Sequence, residues 1–106
     1  MDLFSLSQAF LKAARFGHKN IVKMIVDNPR FREISDNCLE IVLERAVEAG
    51  YEDLVVMLMN NSRFQALNYF VLTGIFHIPL KAGKEKMLRI LLSYPEINSL
   101  ISSRDI

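Results

Sequence analysis

Apolar side chains recur along this chain with the spacing of helices. In the segment IVKMIVD (21–27), apolar residues at i, i+1, i+4 and i+5 fall on one helical face. The segment before it has Ser5 followed three residues later by Gln8, the pattern of a capping box. Further on, Ser35 or Asp36 is a suitable N-cap for the segment DNCLEIVLERAVEA. The pattern predicts short amphipathic helices throughout the chain.

The same pattern repeats with a period of 33 residues. The chain has only four glycines, and three of them, Gly17, Gly50 and Gly83, are spaced by this period. The same shift aligns apolar residues in six columns: Phe10, Leu43 and Phe76; Ile21, Leu54 and Met87; Val22, Val55 and Leu88; Ile25, Leu58 and Leu91; Val26, Met59 and Leu92; Phe31, Phe64 and Ile97. A fixed period of 20–50 residues indicates a stack of similar units.

Each unit is predicted to be a helix, a tight turn at the glycine, a second helix and a loop. The glycine is expected to be the C-cap of the first helix, because that position often needs a positive φ. The expected units are residues 3–35, 36–68 and 69–101, with a tail at 102–106 in a single domain. Pro79 lies inside the first helix of the third unit, where we expect a kink or a late helix start.

The segment AARFGHKNIVKMIV (13–26) resembles an ankyrin repeat, and the resemblance extends over about residues 5–101. It implies an all-α, short solenoid of three helix-turn-helix repeats that binds a protein partner and is not an enzyme. The sequence departs from the family pattern between units, where Leu39 and Leu72 replace the usual turn glycine. We therefore expect reduced or absent β-hairpin fingers.

The resemblance also implies which positions contact a partner. The exposed flank of each first helix and the loop between units are the expected contact regions. The matching positions in this sequence are Arg15, Phe16, Glu48, Ala49, Lys81 and Ala82 on the flanks, with Asn37, Cys38, Glu40, Phe70 and Thr73 in the loops.

Glu40, Glu44 and Glu48 are spaced by four residues, so they form one acidic row on a helix. The repeat register places this row on the concave first-helix face, flanked by Arg15 and Lys81. Three interpretations remain open: a solvated face with weak ion pairs between units, a recognition surface for a basic or mixed-charge peptide, or a carboxylate metal site.

Phe16 is not required by the repeat, because the equivalent residues are Ala49 and Ala82. It either packs on the flank of the first unit or is an exposed anchor for a partner. The sequence alone leaves both interpretations open.

Composition narrows the functional class. The chain has 106 residues and a net charge of +1, which argues against a nucleic-acid partner. One cysteine, Cys38, excludes an internal disulfide and favours a reducing, cytoplasmic setting. The longest apolar run, LVVMLM (54–59), is too short to cross a membrane, so no membrane partner is expected.

No motif indicates a cofactor, a metal or catalysis. The chain has no phosphate-binding glycine loop, paired-cysteine motif or G-x-S-x-G segment. A thiol nucleophile at Cys38 is the weakest of the functional alternatives. The others are a structural or spacer segment of a larger protein, a host-directed effector of an intracellular microbe, and self-association through the open ends of the repeats.

Overall fold

A computed structural model of the protein describes residues 2–95 and 97–98. Over these residues the chain is helical and has no strand, which confirms the all-α prediction. The end of the third predicted unit at 99–101 and the tail at 102–106 lie outside the described residues. The elements are α1 (Leu3–Arg15), α2 (Lys19–Val26), a 3₁₀ turn (Pro29–Glu33), α3 (Asp36–Ala49), α4 (Glu52–Met59), α5 (Ser62–Gln65), α6 (Tyr69–Ala82) and α7 (Glu85–Leu92).

The helices pack as three hairpins in chain order. The long helices α1, α3 and α6, here called the first helices, contact one another in that order. The short helices α2, α4 and α7, the second helices, follow the same order, and each also contacts the first helix of its own unit. The molecule is elongated, with extents of 47 × 22 × 17 Å.

The turn between the two helices of a hairpin is the same in all three units. Gly17, Gly50 and Gly83 have φ of 73°, 78° and 70°, as the sequence predicts for a C-cap glycine. In the first unit the amide of His18 donates to the carbonyl of Ala13 at 2.8 Å, which is the long hydrogen bond of a Schellman motif. The equivalent bonds join Tyr51 to Ala46 and Lys84 to Pro79.

The residue after the glycine also ties each unit to the one before it. The Tyr51 hydroxyl donates to the Arg15 carbonyl at 3.1 Å, and the ring of Tyr51 covers Gly17. One unit later, the ammonium of Lys84 donates to the Glu48 carbonyl at 3.5 Å. Both bonds span 36 residues, so the same position reaches the same carbonyl of the preceding unit.

Three phenylalanines join the first two units in the core. Phe10 meets Phe31 edge-on at 5.9 Å and Phe64 at 6.5 Å between ring centroids. Phe31 and Phe64, which the period makes equivalent, are stacked at 6.4 Å. Aromatic pairs in these geometries contribute about 0.5–1.5 kcal/mol beyond the area they bury.

Arg63 closes the same junction from the loop side. Its guanidinium donates to the Phe31 carbonyl at 2.8 Å, the Ile34 carbonyl at 2.7 Å and the Asp36 carboxylate at 2.8 Å. It also lies 5.1 Å from the centre of the Phe31 ring. One side chain of the second unit therefore satisfies two carbonyls at the end of the first.

The N-cap expected for α1 is wrong, whereas one of the two N-caps predicted for α3 is confirmed. The N-cap of α1 is Asp2, whose carboxylate accepts from the Ser5 amide at 2.7 Å, so Ser5 already lies inside the helix. That hydrogen bond holds the pKa of the Asp2 carboxyl below its usual value. For α3, Ser35 is the N-cap and accepts from the amide of Cys38.

The late start expected for α6 does not occur. The helix begins at Tyr69, one period after Asp36, and continues through Pro79. Pro79 lies in the last turn, where it removes a single helical hydrogen bond, and its carbonyl still accepts from Lys84. The side chain of Asn68 caps the first turn by accepting from Phe70 at 2.7 Å.

Replacement of the turn glycines tests how much the contact between Tyr51 and Gly17 contributes to the free energy of unfolding, beyond the contribution of a glycine at positive φ. Gly83→Ala is expected to lower the free energy of unfolding by about 1–2 kcal/mol, because only the left-handed backbone opposes it. Gly17→Ala is expected to lower it by about 1 kcal/mol more, since its Cβ would lie 3.0 Å from the Tyr51 ring and break the hydroxyl bond. Urea denaturation measures both, and equal losses would contradict the argument.

Substitution of Arg63 tests the closure of the first junction. Arg63→Lys is expected to lower the free energy of unfolding by about 1–2 kcal/mol, because an ammonium cannot span the two carbonyls and the carboxylate together. The control is Arg45→Lys, which alters only an exposed pair with Glu48 and should change stability by less than about 0.5 kcal/mol. Similar effects for the two variants in thermal denaturation would contradict this role.

Candidate functional site

The predicted contact residues all lie on the first helices or at their C-terminal ends. Asn37, Glu40, Glu44 and Glu48 are on α3, and Lys81 is in the last turn of α6. Asn37, Cys38 and Glu40 were expected in a loop, but α3 begins at Asp36 and places them in its first two turns. This start agrees with the N-cap predicted at Ser35, so the loop assignment of these three residues is wrong.

A groove runs between α3 and α6, and we call it the α3–α6 groove. Glu40, Glu44 and Glu48, here called the glutamate row, form the side contributed by α3. The groove has a volume of about 290 Å³. The α6 side is lined by apolar residues and a glycine: Phe70, Val71, Gly74, Ile75 and Ile78.

Gly74 gives the groove part of its width. The position lies inside α6, and a Cβ built there would have no atom within 4 Å. The equivalent residues of the other two units are Gln8 and Ile41, both of which carry a long side chain. The missing side chain in the third unit therefore leaves open space opposite the glutamate row.

The glutamate row is only partly paired within the protein. Glu48 accepts from Arg45 at 3.1 Å. Across residues 2–95 and 97–98, no cation lies within 4.0 Å of the carboxylate of Glu40 or Glu44. Two of the three carboxylates thus face the groove without an ion pair from the described part of the chain.

Arg15 and Lys81 do not flank the row as ion-pair partners. They occupy the positions equivalent to Glu48 in the first and third units, but no salt bridge in the described chain joins either of them to it. The guanidinium of Arg15 instead lies 5.6 Å from the centre of the Phe16 ring. The ion pairs between units that one interpretation of the row required are therefore not formed.

Phe16 is largely exposed, and the ring contacts that the structure gives it are with residues of the first unit. Its side chain is 61% exposed, and its ring lies 6.3 Å from that of His18. It follows α1 at the hairpin turn and does not line the α3–α6 groove. Its exposure is compatible with an anchor for a partner and its contacts with Arg15 and His18 are compatible with packing on the first unit, so both interpretations stay predictions.

Sequence reasoning missed part of the apolar side of the groove. Phe70 is 80% exposed at the start of α6, although it was assigned to a loop. The period makes it equivalent to Asn37 and to Phe4, which is 73% exposed. The sequence shows two phenylalanines at one repeat position, which could have drawn attention to Phe70. Nothing in the sequence marks Gly74 and Ile78 as residues that line a groove.

Cys38 has the environment of a core residue. It is buried, and its Sγ lies 4.0 Å from the Ser7 carbonyl. Burial raises the pKa of its thiol, which keeps the sulfur protonated at neutral pH. Within the described residues, no three side chains of the metal-binding types come together.

Comparisons with family models, with curated proteins and with solved structures found no match for this chain. None of the helices in the described region has the length and apolar character needed to cross a membrane. The repeat geometry and the α3–α6 groove are the features of this chain that bear on its function.

The reactivity of Cys38 tests the thiol alternative. In the folded protein, Cys38 should react with a thiol reagent at least about tenfold more slowly than in urea, because it is buried and its raised pKa leaves little thiolate. The rate of native alkylation at neutral pH, compared with the rate for the unfolded chain, measures this. An alkylation rate in the folded protein that equals or exceeds the rate in the unfolded chain would support a nucleophilic role for Cys38.

Proposed function

We propose that the protein is a short ankyrin-like solenoid that binds a protein partner through its first-helix face, the exposed side of α1, α3 and α6. Three observations support this architecture: hairpins packed in chain order, a shared glycine turn and carbonyl bonds repeated at the same position. The described chain lacks strands, which agrees with an array whose β-hairpin fingers are absent.

The observation that carries the binding proposal is a contrast between buried and exposed columns. Buried positions stay apolar from unit to unit, as Leu6, Leu39 and Leu72 do. Exposed positions of the first-helix face instead change character between units, although they share the same fold: Phe4, Asn37 and Phe70; Arg15, Glu48 and Lys81. Residues that the repeat does not require are available for recognition of a partner.

We expect this module in a reducing, cytoplasmic setting, because its single cysteine is a buried free thiol with no disulfide partner.

A second candidate function is self-association or a structural role through the exposed apolar residues of α2. Ile21 is 44% exposed, whereas the equivalent residues Leu54 and Met87 are each 2% exposed. Met24 is also exposed on α2. Light scattering separates the candidates: an oligomer that Ile21→Lys converts to a monomer would favour the structural role.

Photo-cross-linking tests the binding proposal. A photoreactive residue at Asn37 on α3 is expected to give an adduct of discrete mass in cell lysate, and one at Lys23 on α2 is the control on the other helix layer. Addition of Glu44→Lys and Glu48→Lys should reduce the Asn37 adduct by about tenfold or more, with circular dichroism unchanged. Absence of the Asn37 adduct, or an equal yield from Lys23, would contradict a first-helix binding face.

A further inference from the structure

The α3–α6 groove has two unlike sides. Along α3, the glutamate row places a carboxylate at each turn, at steps of about 6 Å for four residues of helix. Along α6, the apolar side is formed by Val71, Ile75 and Ile78. The exposed ring of Phe70 lies at the start of the same helix. A ligand that satisfies both sides carries positive charge on one face and apolar side chains on the adjacent face.

The fold itself does not account for the acidic side. The equivalents of Glu40 and Glu44 are Ser7 and Leu11 in the first unit and Thr73 and His77 in the third. Like charges four residues apart destabilise a helix by about 0.2–0.5 kcal/mol per pair. The row therefore lowers the stability of α3 without repeating a structural feature of the array.

The open space in the groove also lowers the stability of its own helix. A glycine in a helix interior is about 1 kcal/mol less favourable than alanine, and nothing near Gly74 excludes a side chain. This second unfavourable choice lies on the neighbouring helix and faces the same groove as the glutamate row. The glutamate row and Gly74 each lower helix stability, and both line the same groove. This coincidence favours a ligand that contacts both sides of the groove.

We propose that the α3–α6 groove binds a basic amphipathic helix of a partner protein. Lysine or arginine residues of this helix, spaced by four, lie opposite the glutamate row, because both helices then advance in equal steps of about 6 Å. Its apolar side chains contact Ile78 and Val71 and enter the space beside Gly74. Charge complementarity selects the basic partner, and this inference rests on the proposed function of the first-helix face.

The test uses three labelled peptides of about five helical turns and the full chain. The first carries lysines spaced by four with leucines on the adjacent face, the second replaces the lysines by glutamates, and the third scrambles the first. Fluorescence anisotropy is expected to show binding of the basic amphipathic peptide that is at least about tenfold tighter than that of either other peptide and that weakens with added salt.

Two protein variants locate the binding. Gly74→Gln introduces the side chain of the first unit into the groove, so it should weaken peptide binding by about tenfold while keeping or raising the helical stability of α6. Glu44→Gln should weaken binding severalfold and reduce its salt dependence. The matched control is Asp53→Asn, which removes one exposed carboxylate from α4 and should leave binding unchanged.

Each remaining outcome overturns the inference in a distinguishable way. Equal binding of the scrambled peptide, or full binding by Gly74→Gln, excludes the groove as a helix site. Binding of the glutamate peptide that equals or exceeds that of the basic peptide refutes the basic helix. Absence of peptide binding together with a persistent Asn37 adduct refutes this inference and leaves the proposed function intact, and absence of both refutes the two together.

Discussion

The left-handed turn at each glycine is the constraint on which the rest of this structure depends. It reverses the chain after a first helix and fixes where the next residue points. In the second and third units that residue is Tyr51 or Lys84, which bonds to the carbonyl two residues before the preceding glycine. One backbone conformation therefore sets both the shape of a hairpin and its register against its neighbour.

The two junctions between units are built with different side chains. The first has a phenylalanine cluster and Arg63, which together fill the space between the units and satisfy the carbonyls beside it. The second has the long bond from Lys84 and an exposed pair between Lys86 and Glu52 at 3.1 Å. A hydrogen bond from the Tyr94 hydroxyl to the Val56 carbonyl at 3.4 Å spans the same junction, so the described part of the second junction is joined by several separate polar contacts.

The sequence predicted the helical class and the glycine turns because both depend on local rules. A period of 33 residues and a required positive φ can be recognised without knowing the packing. The start of α1 was misjudged because Asp2 competes with Ser5 as a cap, and Pro79 does not delay the start of α6 because it lies in the last turn of that helix. The groove could not be predicted, since it requires the missing side chain of Gly74 to face α3 of another unit.

The α3–α6 groove lies across the second junction, and this position has a consequence for how the array opens. A ligand in the groove touches the second unit through α3 and the third through α6, so its binding energy adds to the contacts that hold these two units together. A ligand that binds only the closed array shifts the equilibrium toward it. Occupancy of the groove would then slow amide hydrogen exchange in α6 and α7. The third unit would separate from the second less often when the ligand is bound, and as often as before once it dissociates.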